Sequence, residues 1–241
     1  MSTPAQENVK QDKSTVPVWR GLNAGKSEQS DEALEVINID ADGDLLLRAG
    51  TALEGEKACE FRACSATMRR ASPVWKTMLF GPWQEAKPAH GDWTVDLPED
   101  KPYPFKVLLA IVHGNFQVVP ESPSFEQLHD ILVLTDKYDM IRVIRPWVGA
   151  WRTVVKDTIP DTGLDHIRRV HAAWQLGSED LLHQASGTLA RGLSITKFWI
   201  QTRFHFNEQD LTTAFNDHSA PPDLMGMALL VLCLKFASTV F

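Results

Sequence analysis

Apolar residues change their spacing along this chain, from every second position in its first half to every third or fourth further on. Short apolar runs at 36–39 and 45–47 flank Asp40-Ala-Asp-Gly43, whose Asp and Gly residues suit a tight reversal, so the pattern predicts a hairpin. A polar, Gly-containing loop over 50–57 leads to a third strand at 59–64, and Trp93-Thr-Val-Asp-Leu97 alternates as a half-buried strand does. Between them lie two short helices. Ser65 is placed to cap the first, over 65–70, by accepting from a free backbone N–H. At Ser72-Pro73 the chain has to break and restart, because Pro disfavours the α conformation before it yet suits the first turn of a new helix, here 73–79.

Longer helical periods follow. Phe105, Leu108, Leu109 and Val112 share one face of 104–113, which Gly114 is placed to end with a left-handed cap. Leu128, Ile131, Leu132 and Thr135 share a face of 125–138; a third pattern, 141–155, contains Pro146 and so is expected to kink or restart there. Three more helices are expected over 164–176, 178–193 and 195–206, separated at Gly177 and Gly192. The fold class is therefore mixed α/β, of the α+β kind: a short sheet flanked by a helix cluster, then an all-helical extension over 153–241. Phe61, Met68, Leu108 and Leu132 are expected core residues. Residues 1–35 are polar and aperiodic, the composition of a disordered arm.

Composition narrows the function. A 44% hydrophobic fraction in 241 residues fills one sizeable core. The net charge of −7, with Lys and Arg scattered, argues against direct nucleic-acid binding. Three cysteines, Cys59, Cys64 and Cys233, make no disulfide framework, and 1–38 lacks the apolar core of a secretory signal; the expected compartment is cytosol, nucleus or both. The apolar run 224–241 reaches about 18 residues, the lower limit for a bilayer span, but Lys235 sits inside it and no basic flank precedes it. A terminal packed helix is expected there, and a membrane partner is not.

No enzyme signature emerges. Asp40, Asp42, Gly43 and Asp44 start like a calcium loop, but Thr51 stands where the bidentate Glu belongs. Cys59 and Cys64, with His90 or His113 far away, lack close zinc-ligand spacing. His166 and His171, five apart on a helix, fall about 140° from one another and make a poor metal pair. Nucleophile elbows and phosphate-cradling Gly loops are missing from the sequence, so no catalytic residue, cofactor or metal ligand is nominated.

Phe61-Arg-Ala-Cys-Ser-Ala-Thr-Met68, Ser72-Pro-Val-Trp-Lys-Thr-Met-Leu79, Val112-His-Gly114 and Leu134-Thr-Asp-Lys-Tyr138, in that order, resemble the successive motifs of a BTB/POZ domain over 36–152. Cys64 stands where the family often has His and Val112 where it often has Tyr; the Asp-rich turn before Leu45 resembles divergent fungal members. The resemblance implies a protein-interaction module. Trp83-Gln84-Glu85 then matches the hydrophobic-x-Glu motif of family members that serve as substrate adaptors for cullin-type ubiquitin ligases, with Trp83 as anchor and Glu85 orienting it. It also implies a homodimer, as a self-associating scaffold. The alternatives are a transcriptional cofactor dimerising through the BTB face, without a DNA-binding element of its own, and an enzyme on an unrecognised α/β fold.

Overall fold

Leu45, Leu47 and Ala49 alternate with Leu46 and Arg48, and a strand turns such an alternation into one buried and one open face. In the computed structural model, which describes residues 34–196 and 199–202, these residues form β2 (Leu45–Ala49). Two further strands read the same way: β3 (Cys59–Ala63) buries Cys59, Phe61 and Ala63, and β4 (Thr94–Leu97) buries Val95 and Leu97. An N-terminal strand, β1 (Glu35–Asn38), completes a four-stranded sheet in the order β1-β3-β2-β4. The expected arm over 1–35 lies outside the described residues apart from Leu34 and Glu35, as do Cys233 and the apolar run 224–241.

The hairpin expected from Asp40-Ala-Asp-Gly43 is corrected by the pairing. β1 runs parallel to β3, whereas β2 pairs antiparallel to β3 and parallel to β4. The turn itself forms, with Gly43 N–H donating to Asp40 O at 3.1 Å and Asp42 N–H to the Asp40 carboxylate at 3.0 Å. It carries the chain across the end of β3 instead of folding it back on β1. Ile39 and Asp40 N–H both donate to Arg62 O. β3 takes the central place because alternate residues of it are fully buried, while β1 is largely exposed and suits an edge.

The first two helices are α1 (Ser65–Ala71) and α2 (Pro73–Phe80). Ser65 does not cap α1 as expected; Cys64 occupies the cap position without a side-chain bond. The Asp44 carboxylate caps instead, accepting from Ser65 N–H and from the Ser65 hydroxyl, each at 2.9 Å. An ionised carboxylate at a helix start is a stronger acceptor than a hydroxyl. Burial by itself raises the Asp44 carboxyl, but the bonds from Ser65 and Lys87 outweigh it and hold it below the usual carboxylate range. Ser72 is extended, as Pro73 requires, and its hydroxyl accepts from Trp75 N–H while donating to Tyr138 O at 2.5 Å.

Three helices complete the core: α3 (Pro102–Val112), α4 (Phe125–Lys137) and α5 (Val148–Asp157). Gly114 adopts φ +77°, and the Gly114 to Ile111 and Asn115 to Ala110 bonds close α3 as a left-handed cap does. Pro146 restarts the chain as expected, within a 3₁₀ turn over Arg145–Trp147 that precedes α5. Phe61, Met68, Leu108 and Leu132 are at most 1% exposed, as their spacing required. They belong to one apolar cluster running from the sheet to Leu176.

Beyond α5 come α6 (Gly163–Gln175) and α7 (Glu179–Gly192), which close on a second, small cluster of Ile167, Val170, Ala185 and Leu189. The extension is not all helical. Where a helix was expected over 195–206, β5 (Leu193–Thr196) and β6 (Trp199–Thr202) pair antiparallel. Both segments carry β-branched residues, Ile195, Thr196, Ile200 and Thr202, which lose rotamer freedom in a helix and suit a strand. No helix of the described residues is long and apolar enough to cross a membrane.

Candidate functional site

Helix α2 has two apolar faces. Trp75 and Leu79, four apart, are fully buried in the core, while Val74 and Met78, also four apart, are only half-buried on a different face. The helix ends at Gly81, whose N–H donates to Thr77 O at 2.9 Å. A Cβ on Gly81 would lie 2.3 Å from that same oxygen and 3.0 Å from the Trp83 ring, so the residue has to be glycine. The Trp83 indole lies across this bare backbone and remains 59% exposed.

Trp83 and Glu85, the two residues singled out from the sequence, come together on one groove. It has a volume of about 500 Å³ and is lined by Pro73, Val74, Thr77 and Met78 as well as by the pair. The loop that carries them is fastened at several points. Ala86 N–H donates to Trp83 O at 3.1 Å, and the indole of buried Trp93 donates to Glu85 O at 2.9 Å. Lys87 lies over the Trp93 ring at 5.4 Å and pairs with Asp44 at 3.2 Å. Glu85 directs its carboxylate to the Gln84 amide at 3.3 Å. The site thus offers a flat aromatic surface and an adjacent carboxylate on a held backbone.

The remaining sequence candidates are spread through the fold. Asp40 and Asp42 belong to the crossing turn and Asp44 to the α1 cap. Cys59 is buried with its thiol 3.4 Å from Lys57 O, and burial foremost, then the Glu35 charge, pushes that thiol up. Cys64 N–H donates to His113 Nε2 at 3.0 Å, which leaves the Nδ1–H to donate to Leu109 O at 2.8 Å. His113 therefore ties the end of α3 to the start of α1. Among the described residues no three His, Cys, Asp or Glu side chains are grouped to hold a metal.

Sequence reasoning missed two buried polar clusters. Asp100, 2% exposed, accepts from Lys137 at 2.5 Å and from the Tyr138 hydroxyl; burial first, then the Asp100 charge, raises the Tyr138 phenol. The Tyr138 ring stacks on Trp75 at 4.5 Å. The second cluster joins α4 to α6, where the His129 and His171 rings meet edge to face at 5.3 Å. His171 is 1% exposed and neither ring nitrogen has a hydrogen-bond partner; burial foremost, then His129, pushes it down to about 3. The only signal in the sequence was a polar residue beside an apolar stripe, which does not name its partner.

Comparison with protein-family models and with curated proteins returns no match to this chain.

Proposed function

We propose that the chain is a protein–protein interaction module of BTB/POZ kind that presents Trp83 and Glu85 to a cullin-type scaffold. The observation that carries this reading is the exposed Trp83 indole, held over Gly81 beside the Val74 and Met78 face with Glu85 on the same groove. Covering the open part of that indole removes about 150 Å² from water, worth about 4 kcal/mol before ordering costs. Those costs are reduced here because the ring is already positioned. The order of strands and helices around the four quoted motifs supports the same reading.

The test is a pull-down of the full chain with a cullin N-terminal domain. Capture at micromolar concentration is expected, and Trp83→Ala should weaken it at least about thirtyfold, equivalent to about 2 kcal/mol, while leaving the thermal midpoint in place. No capture of the wild type sinks the adaptor reading. A fallen midpoint in Trp83→Ala would make the residue a packing element.

Self-association is the second reading, and β1 is what favours it. The outer edge of this strand has no strand partner among the described residues, and Val36 is 47% exposed on it. Light scattering at tens of micromolar separates the two: twice the single-chain mass supports a closed dimer, and a single-chain mass excludes it.

A further inference from the structure

A second apolar groove lies away from Trp83, between the end of α1, the end of α3 and the 3₁₀ turn before α5. Its volume is about 340 Å³, and Arg70, Ala71, Val112, Phe116, Val143 and Trp147 line it. Its aromatic wall is built in steps. Trp151 is fully buried and donates its indole N–H to Pro120 O at 3.0 Å; Trp147 stacks on it at 6.3 Å. Phe116 then meets Trp147 edge to face at 5.5 Å and is left 59% exposed. An exposed ring on a rigid base is a contact surface that costs little entropy to use.

The one charged residue in its lining is basic. Arg70 lines the groove, and Arg142 and Arg145 are exposed and adjoin the lining residues Val143 and Pro146 in the sequence. None of the three forms an ion pair among the described residues, although Asp136 and Asp139 are close in sequence. In a chain whose net charge is −7, one arginine in the lining and two exposed arginines next in sequence to lining residues make this stretch locally basic. Guanidinium groups favour carboxylates as bidentate partners, and such a rim speeds the encounter with an acidic segment.

We propose that this groove binds a short acidic segment of a partner protein, its apolar side chains set on Phe116 and Trp147 and its carboxylates on Arg70, Arg142 and Arg145. This does not rest on the cullin reading, because Trp83 is not part of the groove.

The experiment is selection of a displayed library of random peptides of about twelve residues on the intact chain, with fluorescence anisotropy of the recovered sequences. Recovered peptides should be rich in Asp and Glu around one or two apolar residues. Their binding should fall at least tenfold in Arg70→Glu with Arg145→Glu, and as far in Phe116→Ser, whose exposed position leaves folding intact. Trp83→Ala should bind them as the wild type does, and raising the salt should weaken binding of all. Failure to recover binders, a pool no more acidic than the library, or binding kept by the charge-reversed chain overturns the proposal. So does a dimer that dissociates on Phe116→Ser, which gives the groove to a second copy, or a single-stranded oligonucleotide held more tightly than any peptide.

Discussion

Phe61 shows how much one side chain carries. It is fully buried in the central strand β3, and its ring meets Phe105 of α3 edge to face at 5.6 Å, so it joins sheet to helix layer. Phe61→Ala is expected to cost about 3–5 kcal/mol in chemical denaturation, through lost transfer energy and the cavity left behind. A near-neutral result would mean the strand can be repacked without it. Trp83 is the opposite case, since an aromatic side chain at 59% exposure contributes little to folding and leaves its area open for the contact we propose. Gly81 is the residue on which that difference depends, because any side chain there displaces the indole.

Helices α5 and α6 cap one another. Arg152 of α5 donates to Leu176 O at 2.7 and 3.1 Å and to Gly177 O at 2.7 Å, at the end of α6. Arg169 of α6 returns the arrangement, donating to Val155 O and Lys156 O at the end of α5. Each guanidinium meets carbonyls that have no partner within their own helix, at the negative end of its dipole. Arg152→Met, which keeps the stem and removes the donors, is expected to cost about 1–3 kcal/mol. Hydrogen exchange should show the loss first in α7, which is held by the small cluster of Ile167, Val170, Ala185 and Leu189. Uniform loss across the sheet would contradict this.

For the whole molecule, the buried histidines set the response to acid. His171 is pushed down to about 3, from an ordinary value of about 6.5, by burial and then by His129. The unfolded chain therefore binds a proton that the folded chain refuses, and stability is full above about pH 6.5 and falls as the pH drops towards 3. The slope is about 1.4 kcal/mol per pH unit, so denaturant unfolding at pH 5 should show a loss of about 2 kcal/mol relative to pH 7. His166, lowered by burial and then by Arg169, adds in the same direction. His171→Leu should flatten most of this slope. Asp44 and Asp130 act lower down: burial alone raises the Asp130 carboxyl, but the nearby His129 and the Lys101 bond prevail and lower it. Their contribution is present above the ordinary Asp value of about 3.9 and is lost only below it.

The period of apolar residues and the placing of Ser, Pro and Gly were enough to read β2, β3, β4 and α1 through α7, with breaks at Ser72-Pro73, Gly114 and Pro146, because each depends on chemistry within a few residues. The prominence of Trp83-Gln84-Glu85 was legible too, but not the 59% exposure of Trp83, since a loop has no period to tell inside from outside. Tertiary structure decided that β1 joins β3 and not β2 and that Asp44 and not Ser65 caps α1, whereas the strands at 193–196 and 199–202 follow from their own β-branched residues, which the helical period overrode in the reading. Tertiary structure also brought His129 to His171 and Asp100 to Lys137 and Tyr138. In the cap and the side-chain clusters the partner lies 21 or more positions away, and such a pairing is chosen by the burial and charge it completes across the core, a competition that local pattern does not record.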